Sequence, residues 1–263
     1  MAATYLDAIG AAHRERAQRD ERDWRTRTTA AYSGQSFLSA LESPDETVAV
    51  IAEIKRRSPS KGWLAQHLDA PELARTYEGA GARAISVLTD QDHFGALATD
   101  LPDVAGAVTI PRLRKDFTVA ENDVLDAVEM GSSAILLIAA LLSDDELDRF
   151  FRLATSLNLD ALFEVHDEAE VARVVDVGAK IIGVNQRNLH TFAVDTEHAE
   201  RVVASMPANV VRVAESGLRS TSDVERAAMA GFDAVLVGES FVTNANPGEV
   251  VAAFSAVKRL ARG

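Results

Sequence analysis

The chain has 263 residues, a formal net charge of −13 and a mean hydropathy near zero, and 47% of its residues are hydrophobic. Its acidic charge repels nucleic acid and anionic lipid, and no apolar run is long enough to span a bilayer, so we expect neither nucleic acid nor a membrane as a partner. The absence of cysteine excludes disulfides, thiol catalysis and cysteine-bound metals, and together with the lack of a signal-peptide pattern it predicts a cytoplasmic protein.

The first 46 residues predict a helical extension. Ala8–Arg25 is rich in Ala, Arg, Glu and Gln, which are good helix formers. A second helix is predicted at Ser36–Leu41, and Pro44 and Asp45 end the extension.

From Val48 onward, short apolar runs alternate with amphipathic helical patterns. The predicted strands are Val48–Ile54, Ala84–Leu88, Val108–Leu113, Ser133–Ile138, Asp160–Val165, Ile181–Val184, Val210–Val213 and Ala234–Val237. The predicted helices are Pro71–Glu78, Glu121–Met130, Asp144–Ser156, Glu168–Val177, Thr196–Ser205, Ser220–Met229 and Gly248–Leu260. Such alternation is typical of a parallel sheet with helices packed on it.

Eight strand–helix units in roughly 215 residues favour a closed barrel over an open doubly wound sheet. No Gly-x-Gly-x-x-Gly follows any predicted strand, which argues against a dinucleotide site. We therefore predict an α/β fold, a single (β/α)8 TIM-barrel domain over residues 1–263, in which residues 1–46 are the N-terminal helical extension.

Charged residues stand at the end of the first predicted strand. Glu53 and Lys55 are two residues apart, so both point to one face of a strand that is otherwise apolar. Buried charges need partners. An internal salt bridge between the two is one interpretation, and a ligand site is the other.

Polar residues also follow five later strands. They are Lys115 with Phe117, Glu164 with His166, Asn185 with Arg187, Glu215 with Ser216 and Gly217, and Gly238 with Glu239. In (β/α)8 barrels the carboxyl ends of the strands form the active site. This repetition around one rim therefore favours a polar site over six separate salt bridges.

Each of these residues also has a structural interpretation. Lys115 can form a local ion pair with Asp116. Glu164 can cap the following helix, although Asp167 suits that role better. Asn185 can stabilise a turn. His166 suits a site and a loop equally. Four other histidines lack metal-ligand spacing, so we predict surface positions and no metal site: His67, His93, His190 and His198.

The last two strand ends point to a phosphate. Both Glu215-Ser216-Gly217 and Gly238-Glu239-Ser240 place a glycine and exposed N–H groups after a strand. Loops at these positions in barrels frequently bind phosphate through backbone N–H groups, and glycine permits close approach. Lys55 and Ser58 can add a charge and a hydroxyl to the same group.

Six phrases of the chain together resemble the indole-3-glycerol-phosphate synthase family of tryptophan biosynthesis. They are IAEIKRRSPSKG at 51–62, LRKDF at 113–117, LFEVH at 162–166, IGVNQRNL at 182–189, AESG at 214–217 and VLVGES at 235–240. The resemblance runs from about Val48 to the C-terminus. It implies a carboxy-lyase that needs no cofactor or metal and converts 1-(2-carboxyphenylamino)-1-deoxyribulose 5-phosphate to indole-3-glycerol phosphate by ring closure, decarboxylation and dehydration.

The resemblance also implies a role for each matching residue. Lys115 is expected to be the general acid and Glu164 its acid–base partner in dehydration. Lys55 is expected to bind the anthranilate carboxylate or the phosphate, while Glu53 and Asn185 hold the substrate hydroxyls and amine. The remaining residues are expected to bind substrate. Arg187 orients its acidic groups, Phe117 packs on its ring, and the phosphate cradle is formed by Ser58, Ser216, Gly217, Gly238 and the N–H of Glu239. Glu215 is also expected to be a substrate-binding residue.

Two segments depart from the family pattern. The loop at 89–101 lacks a Gly-Ser pair and has Ala96 and Leu97 nearby, and Glu239 replaces a serine, which brings a carboxylate close to the phosphate. Two other interpretations stay open: another phosphate-binding barrel enzyme acting on a related sugar phosphate, and a non-catalytic barrel subunit. We expect a small-molecule substrate and a monomer or weak homo-oligomer.

Overall fold

Eight parallel strands form a closed barrel in the computed structural model, which describes residues 5–42, 46–187 and 195–259. The described residues contain ten strands, of which all but β2 and β3 belong to the barrel. They are β1 (Ala49–Ile54), β2 (Arg57–Ser58), β3 (Gly62–Trp63), β4 (Ala84–Leu88), β5 (Arg112–Lys115), β6 (Ala134–Ile138), β7 (Asp160–Val165), β8 (Ile181–Asn185), β9 (Val211–Glu215) and β10 (Ala234–Val237). Strand β1 pairs with β4 on one side and with β10 on the other, while β2 and β3 form a separate antiparallel hairpin.

Helices surround the barrel in the order expected of a (β/α)8 fold. They are α1 (Tyr5–Gln18), α2 (Phe37–Leu41), α3 (Ala70–Gly79), α4 (Gln91–Phe94), α5 (Asp100–Ala107), α6 (Glu121–Glu129), α7 (Asp144–Ser156), α8 (Glu168–Val177), α9 (Thr196–Ala204), α10 (Thr221–Ala230), α11 (Glu239–Val242) and α12 (Pro247–Ser255). The predicted (β/α)8 barrel is confirmed. Within the described residues, no helix has the length and apolarity needed to cross a bilayer.

The predicted strand at Val108–Leu113 was wrong in its position. Val108 is the C-terminal cap of α5, and Pro111 has no N–H to donate, so the pairing begins only at Arg112. The segment at 89–101, predicted as a loop, contains α4, whose first turn is capped by the Asp90 carboxylate. The last helix, predicted to end at Leu260, ends at Ser255, and Lys258 instead forms a bridge with Thr47. The predicted end of the extension at Pro44 and Asp45 lies outside the described residues.

Helix α2 closes the N-terminal end of the barrel. The carboxylate of Asp160, the first residue of β7, accepts hydrogen bonds from Ser36 Oγ at 2.8 Å and Leu38 N at 2.9 Å. Phe37 and Leu41 are fully buried and pack with the side chains that fill the barrel interior. The barrel is therefore filled at this end, and open space is confined to the other.

Replacing Phe37 with alanine is expected to lower the free energy of unfolding by about 3–5 kcal/mol, because a large side chain is removed from a site enclosed by the barrel. Urea denaturation measures the loss. The matched control is Ser39→Ala at an exposed position of the same helix, with an expected change within about 0.5 kcal/mol. A loss below about 1 kcal/mol for Phe37→Ala would show that α2 is not part of the core.

Candidate active site

A cavity of about 210 Å³ opens at the carboxyl ends of the barrel strands. All thirteen side chains or backbone positions predicted as site residues line it: Glu53, Lys55, Ser58, Lys115, Phe117, Glu164, Asn185, Arg187, Glu215, Ser216, Gly217, Gly238 and Glu239. They come from six strand ends that are far apart in the sequence, and the closed barrel brings them together.

Lys115 lies between two buried carboxylates. Its Nζ donates to Glu164 Oε2 at 2.8 Å and to Glu215 Oε2 at 2.7 Å. The side chains of Lys115, Glu164 and Glu215 are 13%, 7% and 3% exposed, so solvent screens these charges weakly. One cation shared by two carboxylates leaves a net negative charge, which favours uptake of a proton.

The two carboxyl groups differ in acidity. Burial opposes ionisation of Glu164, but the charges of Lys115 and His166 outweigh it and lower the pKa of Glu164. Burial raises the pKa of Glu215; attraction by Lys115 opposes this, and repulsion from Glu164 adds to it. Burial also opposes the charge of Lys115, but the two carboxylates outweigh it and raise the pKa of Lys115. Neighbouring acids with opposite pKa shifts are typical of acid–base sites.

Asn185 connects Glu164 to the next strand end. Its Nδ2 donates to Glu164 Oε1 at 3.1 Å, while its Oδ1 accepts from Ser216 Oγ at 2.9 Å and from the backbone N of Arg187 at 3.1 Å. The last contact is the turn contact that the sequence allowed as an alternative. Asn185 therefore stabilises its turn and also holds the Glu164 carboxylate.

Glu53 and Lys55 form the predicted ion pair, with Lys55 Nζ 2.5 Å from Glu53 Oε1. The pair lines the cavity, so the salt bridge and the site are not exclusive alternatives. Gly238 makes room for it, because a Cβ at that position would lie 2.4 Å from Glu53 Oε1.

Gly183 on β8 gives the same kind of space to Glu215. A Cβ there would lie 2.1 Å from Glu215 Oε1 and 3.2 Å from Leu162 Cδ1. The sequence contained this signal, since an inward-facing glycine in an apolar strand indicates close approach by a neighbour. It could not show which neighbour.

Two buried oxygen atoms in the cavity wall, Ser58 Oγ and Glu215 Oε1, have no hydrogen-bond partner within the described residues. Buried polar atoms are nearly always paired, so both are positioned for a ligand. The Glu239 carboxylate, by contrast, lies 2.5 Å from Lys61 Nζ. Its negative charge is thus partly neutralised.

Ser216 and Gly217 give the end of β9 an unusual backbone. Both have positive φ, +68° and +77°. This conformation costs a non-glycine residue about 1 kcal/mol, and the hydrogen bond from Ser216 Oγ to Asn185 helps to hold it. The turn ends β9 directly after Glu215, beside the cavity.

The N-terminal helix forms an apolar wall that the sequence analysis missed. Tyr5, Leu6 and Ile9 of α1 line the cavity opposite the polar strand ends. Phe94 and Phe117 also line it, with ring centroids 6.3 Å apart. The only sequence signal for this wall in α1 was the spacing of Tyr5, Leu6 and Ile9 at i, i+1 and i+4, because the other residues of the helix are mostly polar.

Other sequence-based interpretations are corrected by contacts. Asp116 does not pair with Lys115; its carboxylate accepts from Arg114 Nη2 at 2.8 Å and Thr89 Oγ1 at 2.6 Å. Glu164 does not cap α8, and Asp167 does. His166 does not line the cavity, although its Nε2 lies 3.9 Å from Glu164 Oε1.

His93, predicted as a surface residue, is only partly exposed and belongs to a buried cluster of hydrogen bonds. His93 Nδ1 and His13 Nε2 both lie 2.8 Å from Asp90 Oδ2, and this cluster attaches α1 to α4. His13, Asp90 and His93 each place one atom of a type that can bind a metal within 4.8 Å of the others. The sequence did not indicate this cluster, because His13 is far from the other two residues in the chain. Their mutual hydrogen bonds account for the arrangement. His190 lies outside the described residues.

The fold and the cavity together define a (β/α)8-barrel protein with a lysine–carboxylate site at the carboxyl ends of its strands. A family model described as indole-3-glycerol phosphate synthase matches residues 5–254. The chain belongs to the indole-3-glycerol phosphate synthase family.

Several curated proteins with that name are similar to this chain. The one from Parafrankia sp. is 49% identical over 215 residues, covering 82% of this chain and 80% of its own. The protein from Mycolicibacterium gilvum is 45% identical over 228 residues, which cover 87% of this chain and 83% of that protein. The solved structure of thiamine phosphate pyrophosphorylase from Pyrococcus furiosus shares the fold alone. Its TM-score is 0.61 and its sequence identity 14%, and the match covers 80% of this chain and 94% of that chain.

Replacing Lys115 with methionine is expected to lower the free energy of unfolding by about 3–5 kcal/mol at pH 8, because two buried carboxylates lose their cation. Without it, both carboxyls have a folded-state pKa above the unfolded value. The stability that these carboxyls contribute when protonated is then complete at low pH and disappears as pH rises. The decrease in the free energy of unfolding caused by Lys115→Met should therefore be smaller at pH 5 than at pH 8, by about 1 kcal/mol or more.

Urea denaturation at the two pH values measures this difference. Lys61→Met is the control, since Lys61 is half-exposed and its removal should cost less than about 1 kcal/mol at either pH. Equal losses for Lys115→Met at pH 5 and pH 8 would contradict the assignment of both carboxyls to this cation.

Proposed function

We propose that this protein is an indole-3-glycerol-phosphate synthase, a carboxy-lyase that closes the indole ring of 1-(2-carboxyphenylamino)-1-deoxyribulose 5-phosphate. The observation that carries the proposal is the position of Lys115, whose Nζ lies between Glu164 and Glu215 in the cavity. Membership of the family supports the same substrate.

Ring closure needs an acid at the substrate carbonyl. The ring carbon that bears the carboxylate attacks the ketone at C2, and negative charge develops on the ketone oxygen as the new carbon–carbon bond forms. Lys115 is charged and poorly solvated, so it stabilises and protonates this oxygen, which becomes a hydroxyl. Glu164 and Glu215 hold the ammonium group in place.

Loss of carbon dioxide follows within the substrate. The electrons of the broken carbon–carboxylate bond restore the aromatic ring, so the substrate itself accepts them and the step calls for no cofactor. Phe94 and Phe117 provide an apolar surface for that ring.

Dehydration then forms the pyrrole double bond. The C2 hydroxyl leaves as water after protonation, and a base removes the proton that completes aromatisation. Glu164 is suited to the base role because its pKa is lowered, and Asn185 orients it. Glu215, whose pKa is raised, is suited to hold a proton and to bind a substrate hydroxyl through its unpaired Oε1.

The rest of the cavity binds the charged ends of the substrate. Ser58 and the turns after β9 and β10 form the phosphate subsite, where Gly217, Gly238 and the N–H of Glu239 allow close approach. Lys55, with Glu53, and Arg187 face the substrate carboxylate and sugar hydroxyls.

We also propose that the protein acts in the cytoplasm as a monomer or weak homo-oligomer. All the groups assigned to chemistry come from one chain, so a second copy is not required for the site.

The direct test is an assay of purified protein with the anthranilate–deoxyribulose phosphate. Indole-type fluorescence and release of carbon dioxide are expected in the presence of a chelator. Binding of the substrate without turnover would favour a non-catalytic barrel. Isomerisation of a related sugar phosphate instead would favour another phosphate-binding barrel enzyme.

Lys115→Ala is expected to lower kcat by about 100-fold or more at saturating substrate, because the acid for ring closure is lost. Lys180→Ala is the matched control: Lys180 is exposed and precedes β8, at the opposite end of the barrel. A kcat within a few-fold of wild type for Lys115→Ala would end the assignment.

Gly183→Ala is expected to lower kcat by about 10–100-fold, because the new Cβ displaces Glu215 from Lys115. Gly106→Ala is the control at a helical glycine with free space, where activity should not change. Steady-state kinetics beside circular dichroism separates misplacement from unfolding. Full activity of folded Gly183→Ala would show that this contact is not needed.

A further inference from the structure

His166 is a partly buried titratable residue that the proposed reaction does not use. Its Nε2 is buried and has no hydrogen-bond partner in the described part of the chain. The nearest carboxylate oxygen is Glu164 Oε1, at 3.9 Å, and the only described donor to that oxygen is Asn185 at 3.1 Å. His166 Nε2 therefore lies about 1 Å beyond hydrogen-bond distance of Glu164 Oε1.

The other ring nitrogen of His166 contacts a second carboxylate. His166 Nδ1 lies 3.3 Å from Glu170 Oε2, and the side chains of His166 and Glu170 are 20% and 15% exposed. The ring thus has a buried nitrogen toward the cavity carboxylate and a second nitrogen toward a carboxylate near solvent.

The backbone of His166 is fixed on both sides. Its N–H donates to Glu170 Oε2 at 2.7 Å, and its carbonyl oxygen lies 2.6 Å from His198 Nε2. With the backbone held, the remaining freedom is rotation of the side chain. Bringing Nε2 into reach of Glu164 requires this rotation.

We propose that His166 is a positioning residue that relays protons between Glu164 and solvent through Glu170. The inference rests on the acid–base role proposed for Glu164. In one direction, Nε2–H passes its proton to Glu164 while Nδ1 takes one up at the Glu170 side; in the other, Nε2 takes the proton from Glu164 and Nδ1 releases one. Each transfer moves one proton and leaves the ring neutral, so no co-reactant is needed.

The surroundings favour a ring that takes up a proton. The titratable groups that face His166 within the described residues are Glu164 on β7, Glu170 on α8, His198 on α9 and Glu215 on β9. Burial opposes protonation of the imidazole, but the hydrogen bond to Glu170 and the charge of Glu164 outweigh it and raise the pKa of His166. A histidine so placed exchanges protons near neutral pH.

The first experiment measures kcat and KM of His166→Asn between pH 6 and pH 9. We expect kcat to fall about 10-fold while KM changes less than 2-fold, because the residue does not line the cavity. Added imidazole should restore kcat in a concentration-dependent way, which a purely structural loss would not allow. Retention of wild-type kcat, or a loss that imidazole cannot restore, would overturn the relay.

The second experiment follows the His166 ring by NMR and does not depend on turnover. Glu164→Gln and Glu170→Gln should each lower the titration midpoint by about 1 pH unit, since each removes a negative charge beside the ring. Glu168→Gln, at an exposed position of the same helix, is the matched control with no expected shift. An unchanged midpoint in Glu164→Gln would overturn the link to Glu164.

The two failures are distinguishable. Wild-type protein that does not turn over the anthranilate–deoxyribulose phosphate overturns the proposed function, and the relay with it. Active wild type with a fully active His166→Asn overturns the relay alone.

Discussion

One positive charge held between two buried carboxylates organises the site. Lys115 is the cation nearest to Glu164 and Glu215, and its ammonium group fixes where both can lie. Because there are two acids and one base in a poorly solvated space, the carboxyls cannot have the same proton affinity. The opposite pKa shifts of Glu164 and Glu215 follow from this imbalance, and they place a carboxyl group that favours its ionised form beside one that favours its protonated form.

The barrel accommodates these charges by leaving space beside them. Interior positions of a (β/α)8 barrel are normally filled by branched apolar side chains. Here Gly183 and Gly238 face Glu215 and Glu53, and any side chain at either glycine would collide with a carboxylate. At the other end, Phe37 and Leu41 pack among the side chains of the barrel interior. The same sheet is therefore a packed core at one end and a charged cavity at the other.

The sequence predicted the barrel and the cavity residues because both follow from local patterns. Apolar runs place strands, and the residue after each run lies at the rim. What could not be read was the pairing of residues distant in sequence, such as Asp116 with Thr89, or His13 with Asp90. The apolar wall from α1 was missed for the same reason: packing of a mostly polar helix onto the rim depends on the closed barrel.

The most direct test is a structure of the protein bound to a substrate analogue whose C2 ketone is reduced to an alcohol, so that ring closure is blocked. We predict that the C2 hydroxyl lies within hydrogen-bond distance of Lys115 Nζ, about 3 Å. We also predict that the phosphate lies at the turns after β9 and β10 and the aromatic ring against Phe94 and Phe117. A C2 hydroxyl remote from Lys115, or a phosphate bound elsewhere in the cavity, would contradict the role proposed for Lys115 and the position proposed for the phosphate.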